Sequence, residues 1–295
     1  MPAATIIDGK LLATRIRSEA AEYVRALRDE GILVSLDAVM AGDAAAGEIY
    51  ARSQRTRCAE IGIDYRLHNL PVGCTESDIR ATLHRLNADP KVTGILLNLP
   101  LPAGIDAPAM QYCIDPYKDV EGVNPANIGL LFYDHPIIAP CTALAVMEIL
   151  RTAGVSPRGM DAVVVGQGAI VGKPISLFLV HEMATVTCCH VATRDLADHT
   201  RRANLLIVAA GKAGLVGREH VKPGAVVIDV GINSISKPNG ERTIVGDVLF
   251  DEVRSIASVI TPVPGGVGPV TVSILLRSAA QAARVQMLEP RRLSP

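Results

Sequence analysis

A glycine-rich segment in the second half of the chain has the composition of a phosphate-binding turn. Residues 166–172 read GQGAIVG and follow an apolar run at 161–165 directly. Small residues let the backbone turn sharply and approach a pyrophosphate, whose charge the N-terminus of a following helix stabilises. The spacing GxGxxxG is one residue longer than the common dinucleotide fingerprint, so it fits either a dinucleotide site or a plain strand-to-helix turn. The candidate contacts are Gly166, Gln167, Gly168, Val171 and Gly172.

The strand expected after this turn ends without an acidic residue. In dinucleotide folds an Asp or Glu about 20 residues after the turn reads the ribose 2′-hydroxyl. Here residues 188–194 read CCHVATR, with Arg194 close to the strand end. The missing acid and the arginine favour a 2′-phosphate and hence NADP, although Asp195 could cap a ribose and NAD stays possible. A solvated charge at a helix start is the alternative interpretation of Arg194.

Two further sets of polar residues indicate no chemistry by pattern alone. Tyr50 and Gln54 stand four residues apart on a predicted helix and therefore share one face. Residues 118–122, KDVEG, have the pattern of a charged turn. Neither HExxH nor GxSxG occurs, and the seven histidines form no ligand-spaced set. These absences argue against a metal centre and against triad hydrolysis.

The composition indicates a folded soluble protein with nearly balanced charge. Of the 295 residues, 49% are hydrophobic and 20% charged, and 29 basic residues stand against 30 acidic ones. A disordered chain would be poorer in apolar residues and more unevenly charged. There is no basic excess and only 3% of residues are aromatic, so we expect no nucleic-acid partner.

No segment of the sequence predicts a membrane or secreted protein. Residues 255–276 carry no charge and are long enough to span a bilayer. Their centre, PVPGGVGP at 262–269, holds three prolines and three glycines that break a helix, and it predicts a loop. The N-terminus lacks a secretory pattern, and the six cysteines show no zinc-like spacing. We expect reduced thiols, no membrane partner and a cytoplasmic location.

Hydrophobic periodicity predicts alternating helices and strands. Helices are expected at 12–27, 44–61, from 76 onward, 142–153 and 270–288, and strands at 36–41, 63–70, 94–97, 161–165, 185–189, 205–209 and 226–230. Thr75 and Asp78 have the spacing of a capping box. Apolar strands separated by short helices predict an α/β protein whose parallel sheet is covered on both faces.

A proline-rich stretch at 103–140 marks the neighbourhood of a domain boundary. Just before it, prolines from Pro100 onward end a strand and leave Asn98 at its carboxyl end, where open α/β sheets place their ligands. We predict a first domain of residues 1–140, completed by the returning helix at 270–295, and a second domain of residues 141–269.

Seven segments together resemble the bifunctional methylenetetrahydrofolate dehydrogenase/cyclohydrolase family, usually called the FolD family. They are IIDGK at 6–10, GILLNLPLP at 94–102, KDVEG at 118–122, PCT at 140–142, the glycine turn through Pro174, VIDVGIN at 227–233 and TPVPGGVGP at 261–269. They cover nearly the whole chain in order and register.

The resemblance implies an N-terminal α/β folate-binding domain, a Rossmann-like NAD(P)-binding domain with a parallel sheet, a substrate cleft between them, and usually a homodimer. Family members oxidise 5,10-methylenetetrahydrofolate to the methenyl form with NADP or NAD, and hydrolyse that product to 10-formyltetrahydrofolate. The implied catalytic residues are Tyr50, Gln54, Asn98 and Glu121. Further implied cofactor contacts are Arg194 and Ile232. The implied substrate contacts are Tyr50, Asn98, Pro100, Glu121, Pro264, Gly265 and Gly266.

Several residues depart from the family pattern, and they concentrate around the implied folate pocket. Gln54 stands where the family has a lysine that assists the hydrolysis. Asn98 replaces a glutamine, and Glu121 replaces an aspartate. Serine, proline and serine are usual at three other positions, here Gly47, Ala143 and Gly168.

These departures affect the two half-reactions differently. Hydride loss from the methylene carbon removes no proton, so positioning is its main requirement. Hydrolysis adds water and needs proton transfer, yet Gln54 cannot ionise and the neighbouring Arg52 and Arg55 stay protonated. We expect a dehydrogenase whose cyclohydrolase activity is weak or lost. Two alternatives stay open: a repurposed relative acting on another cyclic amine, iminium or pterin, and a non-catalytic folate- or dinucleotide-binding protein.

Overall fold

The structure is a computed structural model that describes residues 4–42, 44–236 and 240–288, without the side chains of residues 44–50. The chain divides into two compact units. The first consists of the chain up to Thr14 together with Thr142–Val272, and the second of Arg15–Cys141 together with the chain from Ser273 onward. Each unit is built around its own parallel sheet.

Helices and strands alternate along the described chain. Its first half contains β1 (Thr5–Ile6), α1 (Gly9–Asp29), β2 (Ser35–Ala41), α2 (Ala44–Ile61), β3 (Asp64–Leu70), α3 (Glu76–Ala88), β4 (Ile95–Leu97), α4 (Ala107–Gln111), α5 (Pro125–Phe132) and α6 (Cys141–Thr152). Its second half contains β5 (Asp161–Val165), α7 (Gly172–His181), β6 (Thr185–Cys189), α8 (Leu196–Thr200), β7 (Leu205–Val208), β8 (Val226–Asp229), β9 (Asn233–Ser236), β10 (Arg242–Val245), α9 (Phe250–Val253), β11 (Val259–Ile260) and α10 (Val267–Leu288).

The first unit contains a six-stranded sheet in the order β1-β11-β8-β7-β5-β6, with every pair parallel. β5, β7 and β8 are almost wholly buried apolar runs, as expected for strands covered on both faces. β6 follows β5 on one side, whereas β7 lies on the other, so the strand order reverses at β5. Open α/β sheets bind ligands at the carboxyl ends of strands beside such a reversal. The glycine turn after β5 occupies that position.

The second unit contains a three-stranded parallel sheet in the order β3-β2-β4. Its central strand β2 is buried along its whole length. Successive side chains point to opposite faces. Leu36 and Ala38 join a core with α1 and α10, whereas Val39 and Ala41 join a second core with α3 and α4. The predicted capping box at Thr75 and Asp78 is present at the start of α3.

The two-domain α/β fold predicted from the sequence is confirmed, with differences in detail. The last helix begins at Val267, so Pro269 lies in its first turn rather than in the predicted loop. Proline is tolerated there because a first-turn N–H has no partner within the helix. In the stretch read as loops, α4 and α5 also carry proline in their first turns.

The chain before Thr14 belongs to the first unit, because β1 pairs with β11 at the edge of the six-stranded sheet. The sequence-based boundaries place those residues with the N-terminal domain instead. The assignment of 1–140 with 270–295 and of 141–269 to functional domains stays a prediction. Within the described residues, no helix combines the length and apolar character needed to cross a membrane.

Candidate active site

Gln54 of α2 is the middle member of a directed chain of hydrogen bonds in the second unit. Its side chain is buried, with 5% exposed. The Tyr65 hydroxyl on β3 donates to Gln54 Oε1 at 2.9 Å. Gln54 Nε2 in turn donates to Asn98 Oδ1 at 3.3 Å. A phenol and two amides therefore occupy this part of the unit, and the proton of each donor is already directed at the next acceptor.

Asn98 ends that chain with a free donor. It directly follows β4, and its backbone N–H donates to Val39 O of β2 at 2.9 Å. The side chain is 9% exposed, and Nδ2 is buried with no partner among the described residues. An unsatisfied buried donor costs about 1–3 kcal/mol. The orphaned Nδ2 therefore fits a ligand that presents an oxygen or nitrogen lone pair, and Pro100 is two residues further along the same segment.

Glu121 has an unusual proton affinity. It lies in the turn at 118–122, and its side chain hydrogen-bonds Gln111 of α4. Burial, together with the neighbouring Asp119 carboxylate, raises the pKa of Glu121 from 4.5 to about 7. Near neutral pH the group is therefore present both as an acid that donates a hydrogen bond and as an anion that only accepts.

The two charged residues before Glu121 are buried and hold the turn in place. Lys118 is 2% exposed. Its Nζ donates to three carbonyl oxygens at the end of α3, those of Leu86, Asn87 and Asp89, at 2.8–3.1 Å. Asp119 accepts hydrogen bonds from Gly122 N, Asn124 N and Asn127 Nδ2. Burial raises the pKa of Asp119. The prediction of a solvated charged turn is therefore wrong for Lys118 and Asp119.

Tyr50 lies on α2, one helical turn before Gln54. Its side chain is outside the described residues. The catalytic and substrate-binding roles implied for Tyr50 stay predictions.

The glycine turn of the first unit leaves no room for a side chain at Gly166 and Gly172, but it is open at Gly168. Gly166 has φ of 99°, and a Cβ there would stand 2.1 Å from Ala209 O. A Cβ at Gly172 would stand 1.8 Å from Gly166 O, whereas one at Gly168 would meet no atom within 4 Å. Only glycine therefore fits at positions 166 and 172, and the backbone is accessible at Gly168. This cradle at the N-terminus of α7 fits a pyrophosphate.

The two other candidate residues of the turn have different surroundings. Gln167 Nε2 donates to Val164 O at 3.2 Å and to Ser176 Oγ at 3.4 Å, which ties the turn to β5 and α7. Val171 is half-buried and immediately precedes α7.

The segment after β6 presents an exposed arginine. Thr193 Oγ1 accepts from His190 N at 2.8 Å, and His190 Nδ1 accepts from Ala192 N at 3.1 Å, so the turn holds itself together. Arg194 is exposed. Asp195 follows with φ of 48° and precedes the short helix α8. The strand end itself carries no carboxylate, as the sequence indicates.

Two buried aspartates organise the loops after β7 and β8. Asp247 Oδ2 accepts from Ala210 N at 2.6 Å and Gly211 N at 2.9 Å, and Oδ1 accepts from Asn233 Nδ2 at 2.8 Å. Asp229 accepts from the backbone N–H groups of Gly231, Asp247 and Val248. Burial is the main cause that raises the pKa of Asp229 to about 6. Ile232, 66% exposed, lies between these anchored residues.

The loop at 262–266 is in close contact with the start of α1. A Cβ at Gly9 would stand 1.8 Å from Gly266 O and 2.6 Å from Gly265 O. Gly265 has φ of 109°, and Gly266 N donates to Pro262 O at 2.8 Å. The peptide bond before Pro264 is cis. The motif IIDGK therefore supplies the glycine on which the proline-glycine loop packs.

Within the second unit, the structure brings Gln54 and Asn98 together, and Glu121 lies in a separate turn. Within the first unit, it gathers the glycine turn and the loops after β6, β7 and β8 at the carboxyl ends of their strands. Sequence reasoning missed Tyr65 and Gln111, which bind two of the candidate residues. It also missed Asp247, whose position after a glycine in Gly246-Asp247-Val248 carries no motif that could have identified it. Among the described residues, no group of three potential ligands could hold a metal ion.

Comparison with known proteins gives matches along most of the chain. Residues 7–121 match the family model for the catalytic domain of tetrahydrofolate dehydrogenase/cyclohydrolase, and residues 140–287 match the model for its NAD(P)-binding domain. The bifunctional protein FolD 1 of Rubrobacter xylanophilus is 46% identical over 283 residues, which cover 96% of this chain and 98% of that protein.

Two solved structures are similar throughout. The bifunctional FolD enzyme of Campylobacter jejuni is 40% identical with a TM-score of 0.90, and the match covers 96% of this chain and all of that one. The Trypanosoma brucei methylenetetrahydrofolate dehydrogenase-cyclohydrolase, solved with NADP and an inhibitor, is also 40% identical with a TM-score of 0.90, and covers 98% of this chain and all of that one.

Proposed function

The chain belongs to the tetrahydrofolate dehydrogenase/cyclohydrolase family, and from that premise we propose that it oxidises 5,10-methylenetetrahydrofolate to the methenyl form with NADP, while its cyclohydrolase activity is weak or lost. The matches extend over nearly the whole chain, so they do not favour a repurposed relative or a non-catalytic protein. The family also makes the chain an enzyme with an NAD(P)-binding domain.

The observation that carries the loss of hydrolysis is the chain from Tyr65 through Gln54 to Asn98. Ring opening of the methenyl product requires a group that takes a proton from water and another that returns one to nitrogen. Gln54 is neutral at every pH of interest, and its carbonyl and amide are both engaged. The hydrogen-bond chain ends on an N–H donor, Asn98 Nδ2, which cannot accept a proton.

The same arrangement is compatible with the oxidation. Bound NADP would accept the hydride from the methylene carbon. The cation that remains is stabilised by the adjacent nitrogen lone pair, so no side chain has to remove a proton. The protein has to bind and orient the folate, and Asn98 Nδ2 can donate to one of its acceptor atoms. Glu121, in either protonation state, offers a second polar contact.

NADP rather than NAD is proposed from the segment after β6. A 2′-hydroxyl is usually read by a carboxylate at the end of this strand, and the strand ends in Cys189 with His190 after it. The next acidic residue along the chain is Asp195, and the arginine just before it, Arg194, is exposed. An arginine is suited to a 2′-phosphate because its charge and planar donors match that group.

We also propose that the enzyme is a homodimer in the cytoplasm. β3 is an edge strand of its sheet, and such an edge can pair with a second copy. All six cysteines are free thiols, which is compatible with a reducing compartment. Analytical ultracentrifugation at micromolar concentration tests the dimer, and a monomer mass would refute it.

An absorbance assay tests the proposed function directly. Purified enzyme is given methylenetetrahydrofolate with NADP and, separately, with NAD, while reduced cofactor and methenyl product are followed together. We expect reduced cofactor and methenyl product to form in equal amounts, faster with NADP. Absence of reduced cofactor with both dinucleotides would refute the dehydrogenase, and disappearance of the methenyl product at a rate well above that in buffer would refute the loss of hydrolysis.

A further inference from the structure

The carboxylate of Asp247 holds the loops after β7 and β8 in place, and it has no exposed surface that a ligand could contact. Asp247 is fully buried. One of its oxygens accepts hydrogen bonds from the backbone N–H groups of Ala210 and Gly211 in the loop after β7, and the other accepts one from the side chain of Asn233 in the loop after β8. Asp247 therefore connects the loop after β7 to the loop after β8.

The surrounding backbone is built to fit this carboxylate. A Cβ at Gly231 would stand 2.2 Å from the Asp247 carboxyl carbon, so only glycine allows the second loop to pass there. Asp229 holds the backbone of Asp247 by accepting hydrogen bonds from its N–H and from that of Val248. The position of Asp247 is thus set by its neighbours, and it in turn sets the positions of both loops.

The strand order indicates which half of a bound dinucleotide these two loops would contact. The glycine turn after β5 receives the pyrophosphate, and β6, on one side of β5, ends at the segment that reads the adenosine ribose. The other half of a dinucleotide must then extend in the opposite direction, across the carboxyl ends of β7 and β8. Ala210, Gly211 and Ile232 lie at those ends.

We propose that Asp247 is a positioning residue for the nicotinamide half of the cofactor. It holds the backbone at 210–211 and at 231–233 in one arrangement, against which the nicotinamide and its ribose are placed, and it has no part in binding the adenosine half. This inference rests on the proposed use of a nicotinamide dinucleotide.

The test compares whole cofactor with its adenosine half. Asp247→Asn keeps the size of the side chain but replaces one acceptor oxygen by a donor, which must face either the two backbone N–H groups or Asn233. The matched control is Asp251→Asn, because Asp251 lies in the same unit and its side chain is 86% exposed. Binding of NADPH and of 2′,5′-ADP is measured by titration calorimetry for each protein, with NADH and ADP instead if the wild type prefers NAD.

For Asp247→Asn we expect the Kd of the whole cofactor to rise at least about tenfold, the Kd of the adenosine half to stay within about twofold, and kcat to fall. The control should change neither Kd. Unchanged affinity for the whole cofactor would overturn the inference, as would an equal loss for both ligands, because general damage to the unit affects both halves.

A second variant applies if Asp247→Asn does not fold. Asn233→Ala removes a single contact of Asp247 from a half-buried side chain, and it should weaken whole-cofactor binding about three- to tenfold while the adenosine half is unaffected. No selective loss would overturn the inference. Failure of the wild type to bind either dinucleotide would refute the proposed function and this inference with it, and that result is distinguishable because it does not depend on any variant.

Discussion

Gln54 is the residue on which the proposed division between the two activities depends. Gln54→Lys places an ionisable amine between Tyr65 and Asn98, and we expect it to raise the rate of methenyltetrahydrofolate hydrolysis at least about tenfold, because positioned acid-base groups contribute about 10²–10⁴-fold. The rate of hydride transfer should change little. Both rates can be followed in one absorbance experiment.

Arg52→Lys is the matched control for that substitution. It also adds a lysine to α2, but on the exposed side of the helix, and it should leave hydrolysis at the wild-type level. Equal gains in the two variants would show that the gain does not come from the position of the amine.

Glu121 predicts a specific dependence of stability on pH. Its folded pKa, about 7, lies above the ordinary 4.5. Below pH 4.5 the group is protonated in both states and has no effect. Between 4.5 and about 7 the unfolded chain loses the proton first, so the free energy of unfolding decreases as the pH rises, by up to about 3 kcal/mol.

Glu121→Gln should remove that decrease. Urea denaturation at pH 5 and pH 8 should show the variant gaining stability relative to the wild type at the higher pH. A difference between variant and wild type that is the same at both pH values would contradict the raised pKa of Glu121.

At the scale of elements, we expect two glycine-to-alanine substitutions in the turn between β5 and α7 to have different effects on the thermal midpoint. Gly172→Ala puts a Cβ 1.8 Å from Gly166 O, so we expect NADP binding to weaken at least about tenfold and the thermal midpoint to fall. Gly168→Ala meets no atom within 4 Å and should leave the midpoint within about 1 °C. A fall of the midpoint in Gly168→Ala as large as in Gly172→Ala would show that the turn is not built as described.

We propose that the segment between β6 and α8 determines the preference for NADP over NAD. Arg194→Ala should raise the KM for NADP about tenfold, as expected for loss of one partly solvated charge contact to phosphate, and should leave the KM for NAD unchanged. Arg202→Ala, an exposed arginine just after α8, is the control. Equal effects on both cofactors would remove Arg194 from the 2′-phosphate site.

At the scale of the whole molecule, the elements that sequence patterns predict are the long periodic ones. α1, α2, α3 and α10, together with the apolar strands of both sheets, follow from spacing because each buries a continuous face. The two-residue strands β1 and β11 are too short for any periodicity, and they exist because they pair at the sheet edge. The prolines in the first turns of α4, α5 and α10 led to a prediction of loops, although proline is equally compatible with the start of a helix.

The candidate site was predictable only where a motif exists. The glycine turn has one, and the family resemblance supplied Gln54, Asn98 and Glu121. Tyr65, Gln111 and Asp247 were not predictable, because what matters is which buried group each side chain meets, and that depends on contacts between distant parts of each unit. The raised pKa of Glu121 likewise arises from burial and from Asp119, neither of which a sequence pattern records.

The rate at which the wild-type enzyme opens methenyltetrahydrofolate is the measurement that tests the central claim most directly. Purified methenyltetrahydrofolate is incubated with enzyme and NADP and, in parallel, with buffer alone, and its absorbance is followed. Because Gln54 supplies no proton acceptor, we predict a rate within about twofold of the uncatalysed one, from an enzyme that reduces NADP with methylenetetrahydrofolate. Hydrolysis as fast as the dehydrogenase reaction would contradict the account.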